Sequence, residues 1–178
     1  MRRELFLHYS FWFTFFVLVI LLNQYFNWSY LYFVLGGIIG TILPDIDHLL
    51  YVYLIKPQDL SSQRFDHLIK DKNFRRGIEL LYETRSERKN LIFHSIFFQA
   101  IFFVVLFWVL TSSGSLFGRG VALAFAFHLA IDQMIDINEL GSFDNWFTYL
   151  PFKIDFEKAK IYWIIITSVT VLMGIFLG

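Results

Sequence analysis

The sequence predicts an all-α, polytopic membrane helix bundle, and the composition and the spacing of apolar segments are the observations that predict it. Hydrophobic residues make up 57% of the 178 positions and charged residues only 17%, which is more apolar sequence than a soluble domain needs. A spanning helix takes ~20 predominantly apolar residues, so about five segments qualify. The expected spans are residues 5–22, 30–55, 91–110, 121–137 and 161–177.

Basic residues predict the orientation of this single membrane domain, which we expect to cover residues 1–178. All Lys and Arg residues except Arg119 lie before the first span or in the long connections 56–90 and 138–160. The positive-inside rule therefore predicts a multi-pass protein of the plasma (inner) membrane with a cytoplasmic N-terminus. The basic connection 56–90 has helical apolar spacing, which fits an amphipathic helix on the inner leaflet or a cytoplasmic hairpin packed on itself.

The composition also excludes several function classes. The formal net charge is zero, so no global basic field favours nucleic acid. The chain has no cysteine, which excludes disulfides, thiolate zinc sites and cysteine nucleophiles. The partners we expect are membrane lipid and a small-molecule or lipid-like substrate.

The second span contains an expected break at Pro44. As one straight helix its 26 residues would be ~39 Å long, against a hydrocarbon core of ~30 Å. Proline cannot continue the hydrogen-bond ladder, but it suits the first turn of a new helix. Just before it, Gly36 and Gly40 form a small-xxx-small pair, which lets a neighbouring helix approach closely.

Acids and imidazoles from three spans reach one expected depth, the cytoplasmic half of the bilayer. They are Asp45, Asp47 and His48 on the second span, His94 at the start of the third, and His128, Asp132 and Asp136 on the fourth. His128 and Asp132 share a helix face, ~5–6 Å apart at Cβ. If the turn after Pro44 is helical, Asp47 points away from Asp45, whereas a non-helical break brings both to one side.

This clustering predicts a metal site. A charge at mid-membrane costs at least ~2.5–3.5 kcal/mol and usually finds a partner, yet the spans carry no Lys or Arg at this depth. Divalent cations would resolve the repulsion, and the donor set suits Zn, Mn or Fe in a mononuclear or dinuclear site. The predicted ligands are Asp45, Asp47, His48, His94, His128 and Asp132. We expect His8 to be an interfacial residue and His67 a surface one.

The motifs resemble the YdjM-like family, also described as LexA-binding, inner-membrane-associated metal-dependent hydrolases. The matching elements are "LPDIDH", "HS" and "HLAID", in this order over residues 30–137. The resemblance implies hydrolysis and a ligand role for the same six residues. Family members commonly carry an Arg-Gly-x-Thr run before the His, where this chain reads "ERKNLIFHS". Arg88 and Lys89 are therefore the candidates to supply the positive charge.

The function we expect is that of a membrane-embedded metal-dependent hydrolase at the cytoplasmic interface, acting on a phosphoester or lipid-like substrate. The ion would polarise the ester and activate water, and Asp132 or Asp136 would take the proton. Arg88 and Lys89 would bind the substrate phosphate. The alternative is a divalent-cation carrier or channel that uses the same Asp/His cluster. It ranks second because the outer halves of the spans read Phe, Val, Leu and Ile.

Overall fold

The structure is a computed structural model that describes residues 2–177, with side chains described from residue 6 onwards. Within these residues the chain is all-helical and contains no β-strand, as the sequence predicts. The α-helices are α1 (Arg2–Leu22), α2 (Leu31–Ile42), α3 (Ile46–Leu50), α4 (Leu60–Lys70), α5 (Phe74–Glu83), α6 (Ile96–Ser112), α7 (Leu116–Glu139) and α8 (Phe156–Leu177).

Three helical segments of the described chain are long and apolar enough to cross a membrane. They are Trp28–Ile55, Leu116–Glu139 and Phe156–Leu177, and the shorter apolar helices Phe6–Leu22 and Ile96–Ser112 accompany them. These five segments correspond to the five expected spans. The helix at the third expected span, residues 91–110, begins only at Ile96. Ser95 caps this helix, α6, by accepting a hydrogen bond from the backbone N–H of Phe98. His94 therefore precedes the helix.

Pro44 changes the type of helix without interrupting the helical path. Leu43–Asp45 form a 3₁₀ turn, α3 follows directly, and Tyr51–Ile55 close the segment as a π-helical turn. The backbone of Ile42 and Ile46, on either side of this turn, is also right-handed helical. Instead of the expected break, the helix narrows to a 3₁₀ turn at Leu43–Asp45. The sequence left open a helical or a non-helical turn after Pro44, and the helical turn is present.

Close packing of α2 on α7 forms the centre of the bundle. A Cβ atom added at Gly36 would clash with the carbonyl oxygen of Phe117, and one added at Gly40 with that of Val121. In the other direction, a Cβ at Gly120 would clash with the carbonyl oxygen of Phe33. The small-xxx-small pair therefore brings the two backbones into contact. As a result, α7 is buried along nearly its whole length.

Two apolar clusters surround α7. The first joins Phe15, Phe33 and Leu106 around Leu123, and the second joins Leu129 to Trp146 and Phe147 of the segment after α7. The polar residues lie at one end of the bundle, where α1 begins and α7 ends. We call this the site end.

The basic connection 56–90 folds into a helical hairpin. α4 and α5 pack on each other through Phe65, Ile69 and Gly77, and Phe65 also contacts the ring of Tyr53 at a centroid distance of 6.1 Å. The two helices thus pack on each other, while a position on the inner leaflet or in the cytoplasm stays a prediction. Phe74 and Ile78 of α5 nevertheless keep exposed apolar side chains.

Candidate metal centre

Asp132 of α7 is the point at which three imidazoles meet. Its Oδ1 lies 3.1 Å from Nε2 of His8, and its Oδ2 lies 2.7 Å from Nε2 of His94 and 3.2 Å from Nε2 of His128. All four side chains are buried. They come from α1, from the segment before α6, and from α7, so the carboxylate joins three separate parts of the chain.

His8 is the site residue that sequence reasoning missed. His8, His128 and Asp132 form a buried group that could hold a metal ion, with one donor atom from each residue and all donor atoms within 4.8 Å of one another. The His8 and His128 rings lie 4.6 Å apart at their centroids. The available signal was depth, because His8 lies near the start of the first span and the charge count places that start at the site end.

The imidazole of His128 supplies a direct test of whether this group fits a metal. Both of its ring nitrogens are buried: Nδ1 has no hydrogen-bond partner among the described residues, and Nε2, although 3.2 Å from Oδ2 of Asp132, lacks hydrogen-bond geometry. Buried polar atoms are rarely left in this state, so a missing ligand is a physical reason for it. Two imidazole nitrogens and a carboxylate oxygen are also the three-ligand set typical of catalytic sites that keep a coordination position open. The residues present therefore fit a divalent ion.

Asp45, Asp47 and His48 occupy different positions around this group. Asp45 has a half-exposed side chain whose Oδ1 lies 3.7 Å from Nε2 of His128. His48 stacks on His94 at 5.1 Å and accepts at Nδ1 from Nε of Arg88 at 3.2 Å. Asp45 and His48 thus line the same cavity as His128, while Asp47 contacts His94 outside that cavity.

Asp47 is fully buried and holds the chain just before α6. Its carboxylate accepts backbone N–H bonds from Ile92, Phe93 and His94 at 3.0, 2.6 and 3.2 Å. Its Oδ2 also lies 3.1 Å from Nδ1 of His94. The geometry therefore gives Asp47 the task of fixing His94, whose other nitrogen faces Asp132.

Arg85 corrects one premise of the sequence argument, namely that these acids have no basic partner. Its Nε donates to Oδ1 of Asp136 at 2.9 Å, and its Nη2 lies 3.1 Å from Oδ1 of Asp132. Burial alone would lower the pKa of Arg85, but the two carboxylates outweigh it and raise that pKa above its usual range. The partner was overlooked because it comes from the connection between α5 and α6 and not from a span.

The charge balance at the site still favours a cation. Four carboxylates and two guanidiniums gather there, an excess of two acidic groups that a proton on His94, between Asp47 and Asp132, would reduce to one. The groups are Asp45, Asp47, Asp132, Asp136, Arg85 and Arg88. One divalent ion would neutralise the remainder.

The two predicted phosphate-binding residues differ in position. Arg88 is buried and donates to Oγ1 of Thr84 at 2.8 Å and to the carbonyl of Leu81, and its burial lowers its pKa to about 10. It lines the cavity described below. Lys89 is exposed and lies outside that cavity.

Asp136 is engaged through both carboxylate oxygens. Oδ1 accepts from Arg85 and Oδ2 accepts from Nε1 of Trp146 at 2.7 Å. The backbone carbonyl of Trp146 in turn accepts from the N–H of Ile96, which starts α6. These hydrogen bonds connect the segment after α7 to α7 itself and to the start of α6. The carboxylate of Asp136 also orients the guanidinium of Arg85.

A cavity of about 330 Å³ opens onto the group of His8, His128 and Asp132, which we call the metal group because it could hold an ion. His8, His128 and Asp132 form its floor together with Arg85 and Arg88. Its walls come from α1, α2, α3 and α5 and are mainly apolar. The arrangement offers a concave site with a few convergent polar groups at the bottom of an apolar cleft.

Comparison with known proteins places the chain in a family. The model of the family described as YdjM inner membrane protein matches residues 8–177, which is nearly the whole chain. Neither the curated proteins nor the solved structures gave a significant match. The matched range begins at His8 and includes every residue of the site. The chain therefore belongs to the YdjM inner membrane protein family.

Proposed function

We propose that the protein is a metal-dependent hydrolase that acts on phosphoester substrates at the cytoplasmic face of the inner membrane. The observation that carries the proposal is the buried group of His8, His128 and Asp132 at the floor of a cavity that Arg88 also lines. The proposed topology has several spans and a cytoplasmic N-terminus, since the basic residues gather at the site end.

His8, His128 and Asp132 would hold the ion, with His94 and Asp45 adjacent to it. A divalent ion such as Zn²⁺, Mn²⁺ or Fe²⁺, when bound there, supplies Lewis-acid activation of the ester and of water. The guanidinium of Arg88 lines the same cavity, where it would neutralise charge on the phosphate. Arg85 would keep Asp132 ionised and correctly oriented for binding.

The reaction needs a carboxylate to move one proton. The water oxygen forms a bond to phosphorus, the bond to the leaving alcohol breaks, and the proton of the water passes through a base to the leaving oxygen. Asp132 faces the imidazoles with both oxygens, and Asp136 is held by Arg85 and Trp146. Asp45 lines the cavity with an exposed carboxylate beside His128, so we assign the base to Asp45.

The carrier or channel alternative lacks a supporting observation. Transport would need a polar path beyond the site, towards the opposite end of the bundle. The described residues there form the apolar cluster of Phe15, Phe33, Leu106 and Leu123. An ion would have to pass through packed aromatic and aliphatic side chains.

Hydrolysis by purified protein tests the proposal. The protein is loaded with Zn²⁺ or Mn²⁺ and assayed with a soluble aryl phosphodiester and with phospholipid vesicles. We expect turnover that falls by a factor of about 100 or more in Asp132→Asn, because the ion loses a ligand and its site. Glu139→Gln, an exposed change on the same helix, is the control and should retain activity. Equal turnover in both variants would refute the assignment.

A further inference from the structure

We infer that the ligand of this cavity is a membrane-resident amphiphile whose head group enters sideways from the lipid, through a mouth between α1 and the α2–α3 segment. The inference deepens the proposed function, since it names the class of substrate and its route. Three observations carry it: the chemistry of the mouth, the closure of the opposite side, and the volume of the cavity.

Apolar and aromatic side chains form most of the exposed lining of the cavity, which we call its mouth. They are Tyr9, Ile42, Leu49 and Ile78, which remain 53%, 52%, 42% and 48% exposed, and the carboxylate of Asp45 is exposed beside them. Three of them lie on α1, α2 and α3, which belong to the apolar segments of the bundle. Exposed apolar groups around a cleft mark an interaction surface. In a membrane helix, the surroundings that suit them are acyl chains.

The other side of the metal group is closed. Arg88 and Trp146 are 2% and 1% exposed, and the Trp146 ring packs on the ring of His94. A second cavity lies among these side chains, but its volume is only about 10 Å³. Such a space holds about one water molecule. Among the described residues, the first cavity is therefore the larger opening towards Asp132.

The volume of the first cavity suits a head group and not a whole lipid. Ligand pockets commonly measure ~300–1,000 Å³, and this one, at about 330 Å³, lies at the small end. The chains of an amphiphile would remain outside, between lipid-facing side chains, while its head group meets the polar floor. Arg88 and the ion site are complementary to an anionic group, and a phosphate ester meets that requirement.

Cysteine labelling tests the route without relying on turnover, because the chain contains no cysteine of its own. Thr41→Cys places a thiol on the buried cavity wall, and Lys89→Cys places one on the exposed surface outside it. The protein is reconstituted in vesicles and treated with a phospholipid that carries a maleimide head group, or with a sulfonated, water-soluble maleimide. We expect the lipid reagent to label Thr41→Cys at least about tenfold faster than the soluble reagent does, and the order to reverse for Lys89→Cys.

A pair of bulky substitutions tests the mouth itself. Ile42→Trp with Leu49→Trp narrows the mouth, while Ile39→Trp with Ile46→Trp adds the same bulk at similarly exposed positions that do not line the cavity. In the Thr41→Cys background, the first pair should slow labelling by the lipid reagent about tenfold, and the second pair should leave it unchanged.

The outcomes separate this inference from the proposed function. Faster labelling of Thr41→Cys from water, or equal effects of the two tryptophan pairs, would overturn the lateral route even if the enzyme hydrolyses soluble phosphodiesters. Lipid labelling as expected would support the route even if no substrate is hydrolysed, and in that case only the hydrolase assignment fails.

Discussion

The carboxylate of Asp47 binds His94 twice, by accepting its backbone N–H at 3.2 Å and by facing its Nδ1 at 3.1 Å. The opposite ring nitrogen, Nε2, then lies 2.7 Å from Asp132. A carboxylate that orients an imidazole in this way raises its basicity and fixes its tautomer. These contacts suit Asp47 to positioning His94, and its direct coordination of an ion, which the "PDIDH" motif predicts, stays a prediction.

Asp47→Asn should weaken metal binding without abolishing it. An amide cannot accept all the N–H groups that converge on this carboxylate, so we expect unfolding of the metal-free protein to become easier by roughly 1–3 kcal/mol. We also expect a metal affinity lower by about 10-fold, because His94, which contacts the proposed ligand Asp132 at 2.7 Å, loses its support. Thermal unfolding and metal titration measure the two effects. An unchanged metal affinity would show that Asp47 does not support metal binding.

Arg85→Met should destabilise the fold strongly. It leaves Asp132 and Asp136 buried without their guanidinium, a change that costs about 3–5 kcal/mol when one partner of a buried ion pair is removed. The matched control is Arg75→Met, which breaks an exposed pair with Glu79 and should have little effect. Thermal unfolding of the metal-free proteins in detergent compares them. Equal losses of stability in the two variants would show that the buried contacts of Arg85 contribute no more than the exposed ion pair of Arg75.

Gly36→Ala and Gly40→Ala should separate α2 from α7. Each methyl group would meet a backbone carbonyl of the facing helix, which cannot move aside as a flexible side chain can. Overpacking of this kind costs roughly 1–3 kcal/mol per site. Gly114→Ala is the control, since an added Cβ there meets nothing within 4 Å. Melting temperatures lowered in the first two variants and unchanged in the third are the expected result.

The orientation of the chain is open to a direct measurement. With no native cysteine to remove, Gly114→Cys and Lys72→Cys report on the two ends of the bundle. A membrane-impermeant maleimide applied to intact spheroplasts should label Gly114→Cys and leave Lys72→Cys unlabelled until the membrane is opened, because basic connections stay in the cytoplasm. The reverse pattern would invert the proposed topology.

Several parts of the fold and site follow from the sequence for physical reasons. Apolar length predicts the helices, and the glycine spacing predicts the contact between α2 and α7. The order of the spans, combined with the charge count, places Asp45, His94 and Asp132 at one depth. Periodicity alone keeps His128 and Asp132 on a common face.

Other features depend on tertiary contacts that no local pattern contains. No motif in the sequence of α1 marks His8, and only folding brings it beside Asp132, which lies 124 positions away. Arg85 lies in a connection, so a search for partners inside the spans misses it. The direction of Asp47 depends on whether the turn at Pro44 is helical, which proline chemistry leaves undecided.

Metal binding by purified protein, compared with His128→Leu, tests the central claim most directly. Leucine removes one nitrogen without a hydrogen-bond partner among the described residues and one that faces Asp132 at 3.2 Å, and Arg85 still pairs with that carboxylate, so the metal-free variant should remain folded. After equilibration with Zn²⁺ or Mn²⁺ and removal of free ions, elemental analysis should find bound metal in the unmodified protein and none above background in the variant. Equal metal content in the two proteins, or none in either, would contradict the account.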